Sequence, residues 1–135
     1  MYLVACVDDR MGMLFHHRRV SRDKKVSQDI LDMCKDKKLY IEESSALLFS
    51  EFPGERIRTI KEISAADLKG QYVFLEDPEK IQESETETII LYCWNRKYPA
   101  DKYFSIDLTQ WKLMETTEFP GNSHEKITKE RYEKI

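Results

Sequence analysis

Tyr98-Pro-Ala-Asp-Lys-Tyr-Phe-Ser-Ile-Asp-Leu-Thr-Gln-Trp-Lys-Leu-Met-Glu-Thr-Thr-Glu-Phe-Pro120 is the stretch from which the fold is read. It opens on an acidic-aromatic turn, passes through Asp107-Leu-x-x-Trp111 and closes on Glu118-Phe-Pro120. Alternation with a period of two marks a strand that turns one face to a core. Residues 111–119 and 125–132 are therefore expected to form an antiparallel pair at a sheet edge. Immediately upstream, Thr88-Ile-Ile-Leu-Tyr-Cys-Trp94 is rich in β-branched and aromatic residues and is the strongest strand of the chain.

Further toward the N-terminus the pattern changes. Tyr2-Leu-Val-Ala-Cys-Val7 is a continuous apolar run of strand length, as expected for a strand covered on both faces. Residues 8–19 read as a loop with Gly12 for flexibility. Val26, Ile30, Met33 and Cys34 fall on one face at helical spacing, and Ser21 or Ser27 is placed to cap that helix. Lys38-Leu-Tyr-Ile41 is a second short strand, followed by a helix through Ala46 to Phe49 capped by Ser44 or Ser45 and ended by Pro53-Gly54. Residues 57–60 suit a short strand, and residues 64–68 a helical turn closed by Gly70. Gln71-Tyr-Val-Phe-Leu75 is a buried strand, Asp77-Pro78 opens a helical turn, and residues 83–87 are an acidic connector. Early alternation of strands and helices followed by paired strands predicts one α/β domain over residues 1–135. Its sheet is mixed and mostly parallel, with helices on both faces and a closing antiparallel hairpin.

A chain of 135 residues buries a sizeable core without metal or disulfide support. Its net charge of −3 gives no overall drive toward nucleic acid or anionic lipid. No segment approaches the roughly 20 apolar residues that span a bilayer, and no export signal opens the sequence. Cys6, Cys34 and Cys93 are odd in number, widely spaced and set among apolar neighbours. Reduced thiols of a cytoplasmic protein are the expectation.

In order and motif the chain resembles dihydrofolate reductase. The first strand with its glycine-bearing loop (residues 1–12), the Lys-Lys-Leu-Tyr-Ile strand, the Tyr-Val-Phe-Leu strand, the Ile-Ile-Leu-Tyr strand and the closing hairpin follow the family's sequence. The resemblance implies that fold. It also implies where a reductase would hold NADPH, on Gly, Arg and Thr after the second parallel strand and a Gly-Gly pair after a later one. Here those positions read Glu42-Glu-Ser-Ser45 and Glu76-Asp-Pro-Glu79, and the chain is short over residues 49–71, where the family builds part of its adenosine site. Like charges 4 Å apart cost about 1 kcal/mol in water and about 4 kcal/mol at an effective dielectric of 20. No cofactor is expected on this reading, the carboxylates otherwise serving as helix caps. The family's proton-donating carboxylate falls on Val26; Asp23 is the nearest acid, either displaced by several residues or simply a helix cap. The resemblance extends to short bacterial proteins to which a ribonuclease Z activity has been ascribed. That activity needs a dense His-x-His-x-Asp-His zinc motif, which this sequence lacks.

His16, His17, Arg18 and Arg19, with Arg22, form the one basic concentration, beside the place where this fold keeps its substrate cleft. Arginine presents a fixed fork to carboxylate or phosphate, so these residues are candidate ligands for a small anion, against a plain solvated surface. Asn95 and Arg96, beyond the strongest strand, are second candidates. Aromatic residues are not interleaved with the basics, which argues against single-stranded nucleic acid. Asp8, Asp9, His16, His17 and His124 match no metal spacing, and Ser123-His124 reads as a turn. The expected function is a non-catalytic module binding a small anion or a protein partner. The alternative is an enzyme with a different cofactor, acting on a folate- or pterin-like substrate through Asp23.

Overall fold

Strand β1 (Tyr2–Val7) takes the centre of a seven-stranded sheet because every residue of it is hydrophobic and both faces are covered. In the computed structural model, which describes residues 1–61 and 67–135, β1 is parallel to β6 (Tyr72–Phe74) and to β7 (Thr88–Cys93). Outside β6 lie β4 (Leu39–Glu42) and then β5 (Ile57–Ile60), both parallel. On the other side β10 (Ile127–Lys134) runs antiparallel to β7 and to the edge strand β9 (Trp111–Phe119). The order is β5-β4-β6-β1-β7-β10-β9, a mixed and mostly parallel sheet with the expected closing hairpin.

Alternation along β1 sends Leu3, Ala5 and Val7 to one face, with Val73, Leu75, Ile89, Leu91, Phe104, Ile106 and Trp111. Val4 faces the other way, against Val26, Ile30, Leu31 and Cys34 of helix α1 (Lys24–Cys34), with Phe49 and Tyr92. Full burial of one such side chain stabilises by about 1.5–3 kcal/mol, so the two clusters dominate the fold's energy.

Several expectations change. Residues 8–19 are not a plain loop: β2 (Gly12–Phe15) and β3 (Arg18–Arg19) form a hairpin, and β8 (Lys102–Tyr103) joins β2 to make a second, antiparallel sheet. His16 and His17 make its two-residue turn with φ of 49° and 65°, the left-handed pair that a type I′ hairpin requires. After β4 the chain forms a 3₁₀ turn over Glu43–Phe49 in which neither Ser44 nor Ser45 caps; Glu42 precedes it without a side-chain cap. Helix α1 is capped by Asp23, not by Ser21 or Ser27. Residues 64–66 of the expected turn before Gly70 lie outside the described residues.

Helix α1 ends on Lys35 at φ 55° and ψ −116°, a region that suits glycine and strains any residue with a Cβ. Lys35→Gly should stabilise by about 1 kcal/mol, raising the melting midpoint by about 4 °C in a calorimetric scan. Among the described residues no helix is long and apolar enough to cross a membrane. The three cysteines are free, and burial, acting first, pushes the Cys34 thiol up to about 11 and Cys93 up to about 12.

Candidate functional site

The carboxyl ends of β4 and β6 and the β2–β3 hairpin enclose an open cleft of about 660 Å³. Its walls carry His17, Arg18, Arg19, Ser21 and Arg22 on one side and Glu42, Ser44, Glu76, Asp77 and Lys80 on the other. Hairpin β2–β3 positions the basic wall, and it is itself fixed by Asp8. That carboxylate, 3 % exposed, accepts the N–H groups of Arg10, Gly12 and Tyr98 at 2.8, 2.7 and 3.0 Å. Gly12 is required there, because a Cβ would sit 2.6 Å from Ala100 Cβ and 2.9 Å from Asp8 Oδ1.

Two carboxylates of the acidic mouths, Glu76 and Glu42, are ion-paired within the protein. Arg19 donates from Nε and Nη2 to the two oxygens of Glu76 at 2.6 and 3.0 Å, and Ser45 Oγ donates to the same carboxylate at 2.7 Å. Lys80 pairs with Glu42. Glu42 and Glu76 are therefore ion-pair partners rather than helix caps; Asp77 does cap, accepting the Glu79 N–H at 3.0 Å. Arg18 and Arg22 are exposed, and among the described residues neither guanidinium has a hydrogen-bond or ion-pair partner.

Of the sequence candidates, His17, Arg18, Arg19 and Arg22 meet in this cleft. His16 lies outside its walls, stacked on Phe15 with ring centroids 4.0 Å apart. Asn95 and Arg96 are placed elsewhere: Asn95 Nδ2 donates to Lys126 O and Thr128 Oγ1 at 3.1 and 2.9 Å, tying the turn after β7 to β10. Among the described residues no three His, Cys, Asp or Glu side chains assemble as metal ligands.

Beside the cleft, below Ser21, lies a cluster that the sequence did not reveal. Asp23 is 4 % exposed, and its carboxylate accepts from the N–H groups of Lys25, Asn122 and Ser123 and from His124 Nδ1, all within 2.8–2.9 Å. Burial alone would raise its pKa. The hydrogen bonds from Asn122, His124, Ser123 and Lys25 outweigh it and hold the carboxyl well below the usual range. An ionised carboxylate only accepts, so His124 Nδ1 donates to Asp23, while Nε2 lies 3.0 Å from Ser21 Oγ and 2.9 Å from Tyr98 Oη. Trp94 stacks on the imidazole, with centroids 4.7 Å apart and planes inclined by 21°. His124, read from sequence as a surface or turn residue, is 4 % exposed. Gly121 makes the turn possible, since a Cβ there would lie 2.7 Å from Asp23 Oδ2 and 2.8 Å from His124 O. Below the cluster a small cavity of about 20 Å³, bounded by Ser21, Asp23, Ser27 and Trp94 among others, has room for about one water molecule.

The strand order, the central first strand and the closing antiparallel hairpin define a dihydrofolate reductase-like α/β fold. Among solved structures, dihydrofolate reductase from Enterococcus faecalis, complexed with NADP(H) and RAB-propyl, superposes with a TM-score of 0.69. The match covers 98% of this chain and 96% of that one at 12% sequence identity, a likeness of fold. By sequence, the chain matches no family model and no curated protein.

Proposed function

We propose that this chain binds a small anion, a carboxylate or phosphate, between the β2–β3 hairpin and the carboxyl ends of β4 and β6. It does so on a reductase-like fold that no longer holds NADPH. The observation that carries the reading is the pair of exposed, unpartnered guanidinium groups of Arg18 and Arg22 on a wall whose other charges are largely matched. Each has its full donor fork available to an incoming oxyanion.

The residues present do not fit a dinucleotide phosphate in the family's manner. Glu42 and Glu76 occupy the mouths where backbone would have to approach it, and each already uses a cation, Lys80 or Arg19. The seven-residue 3₁₀ turn at Glu43–Phe49 begins on another carboxylate. An enzyme acting through Asp23 on a folate- or pterin-like substrate is less well supported. A general acid at neutral pH needs a raised pKa, and Asp23 is held the other way. The cavity over the start of α1, at about 20 Å³, is also far below the roughly 300–1,000 Å³ of ligand pockets. A protein partner on the lost adenosine surface would want a broad apolar patch, whereas Leu47 is the one large exposed hydrophobic residue among residues 43–60. The protonated thiols of Cys6, Cys34 and Cys93 fit a reducing, cytoplasmic setting.

Melting curves at matched ionic strength test this. Inorganic phosphate should raise the midpoint of the wild type, and Arg18→Ala with Arg22→Ala should weaken its apparent affinity about tenfold or more. A ligand at one hundred times its dissociation constant stabilises by about 2.7 kcal/mol, or roughly 10 °C here, and NADPH should give no such shift. Equal phosphate response in the wild type and the double variant would sink the anion site, and a full NADPH shift would restore the cofactor.

A further inference from the structure

Asp23, His124 and Ser21 form a continuous line of hydrogen bonds: Asp23 Oδ2 to His124 Nδ1 at 2.9 Å, then His124 Nε2 to Ser21 Oγ at 3.0 Å. This is the order of groups that removes a proton from a serine hydroxyl, with the carboxylate fixing the tautomer and the imidazole acting as base. Three features separate it from an ordinary buried network. The carboxylate and imidazole are buried at 4 % exposure each, while Ser21 is half-buried and opens onto the 660 Å³ cleft. Trp94 stacks on the imidazole and Asp23 holds its Nδ1, which together aim the other ring nitrogen at Ser21. Arg22, next in sequence to Ser21 and unpaired, lines the same cleft.

We propose that Ser21 is a nucleophile activated by His124, that Asp23 is the positioning residue, and that the cleft takes small acyl esters. The preference for esters carrying a carboxylate or phosphate rests on the anion-binding reading above, with Arg18 holding that group and Arg22 facing the charge that develops on the attacked carbonyl oxygen. In the first step Ser21 Oγ bonds to the acyl carbon and its proton passes to His124 Nε2. The ester C–O bond breaks, and the leaving alkoxide takes that proton as an alcohol. In the second step water, deprotonated by the same nitrogen, attacks the acyl-serine; the carboxylic acid leaves and Ser21 regains its proton. Tyr98 Oη, 2.9 Å from Nε2 and 3.2 Å from Ser21 Oγ, competes with Nε2 for the one Ser21 proton and with Ser21 for the base.

Diisopropyl fluorophosphate is the probe, because it is neutral and needs neither Arg18 nor Arg22. Ser21 Oγ would bond to phosphorus, fluoride would leave, and the proton would go to His124. Wild type is expected to gain one adduct, mapped by mass spectrometry to Ser21 and absent from Ser21→Ala, a variant whose melting curve should stay close to the wild type's. Asp23→Asn keeps the shape of the side chain but not the tautomer of His124. Its labelling rate should fall about a hundredfold or more, with an altered pH dependence, while phosphate binding at the Arg18 wall persists. No adduct on the wild type, an adduct that survives Ser21→Ala, or an unchanged rate and pH profile in Asp23→Asn would each overturn the proposal. Phosphate binding is read separately, so failure of the nucleophile and failure of the anion site are distinguishable.

Discussion

Asp23→Ala is expected to lose about 3–5 kcal/mol of stability, since it removes a helix cap and leaves buried donors unpaired. The carboxylate accepts from Lys25, Asn122, Ser123 and His124, joining the start of α1 to the turn before β10 across a separation of about one hundred residues. For a chain of 135 residues the loss corresponds to a fall of roughly 10–18 °C in midpoint. The same group sets an acid limit. Its folded pKa is depressed, so its contribution is fully present above the unfolded value near 4 and is lost as pH falls through the folded one. Wild-type stability should therefore drop below about pH 4 by up to about 1.4 kcal/mol per pH unit from this group, and Asp23→Ala should lack that component. Denaturant curves between pH 3 and 7 measure it; parallel pH profiles for the two proteins would contradict the assignment.

Glu76→Gln should act on stability and binding in opposite directions. Glu76 takes two hydrogen bonds from Arg19 and one from Ser45, with the Arg19 and Glu76 side chains only 25% and 15% exposed. Losing the ionised partner should cost about 1.5–3 kcal/mol, as for hydrogen bonds to charged groups. The substitution also removes a negative charge from the cleft wall and releases Arg19 to join Arg18 and Arg22. Phosphate affinity should tighten about tenfold, the equivalent of about 1.4 kcal/mol and within reach of one unit charge at short range. Titration calorimetry with phosphate on both proteins decides this; weaker binding in Glu76→Gln would mean that the carboxylate organises the site.

How much was legible depends on whether a feature is local. Strands β1, β7 and β9 were readable because each carries its own run or alternation, and α1 because Val26, Ile30 and Cys34 recur at helical spacing. The β2–β3 hairpin was missed because its turn is His16-His17 rather than an Asn-Gly pair, and its strands are only four and two residues long. The 43–49 segment reads as an ordinary helix since apolar spacing over seven residues hardly separates a 3₁₀ turn from an α turn. Basic residues were found by composition, but the pairing of Arg19 with Glu76, 57 residues away, leaves no trace in either neighbourhood. His124 had no local signal either. Its partners Ser21 and Asp23 lie more than a hundred residues earlier, and only Gly121 beside a polar Asn-Ser-His run hints at a tight, occupied turn.

The central place of β1 also sets a timetable for synthesis. Tyr2 pairs with Tyr72 on one side and Thr88 on the other, so β1 waits during synthesis for partners made 70 and 86 residues later. At about 5–20 residues per second that is roughly 4–17 s for the second edge alone. Until β6 is made an apolar Tyr-Leu-Val-Ala-Cys-Val run has both ladders open, and one stays open until β7, the kind of segment that nascent-chain chaperones shield. The vulnerability during synthesis thus falls on β1, and a slow stretch of translation before residue 88 would prolong it.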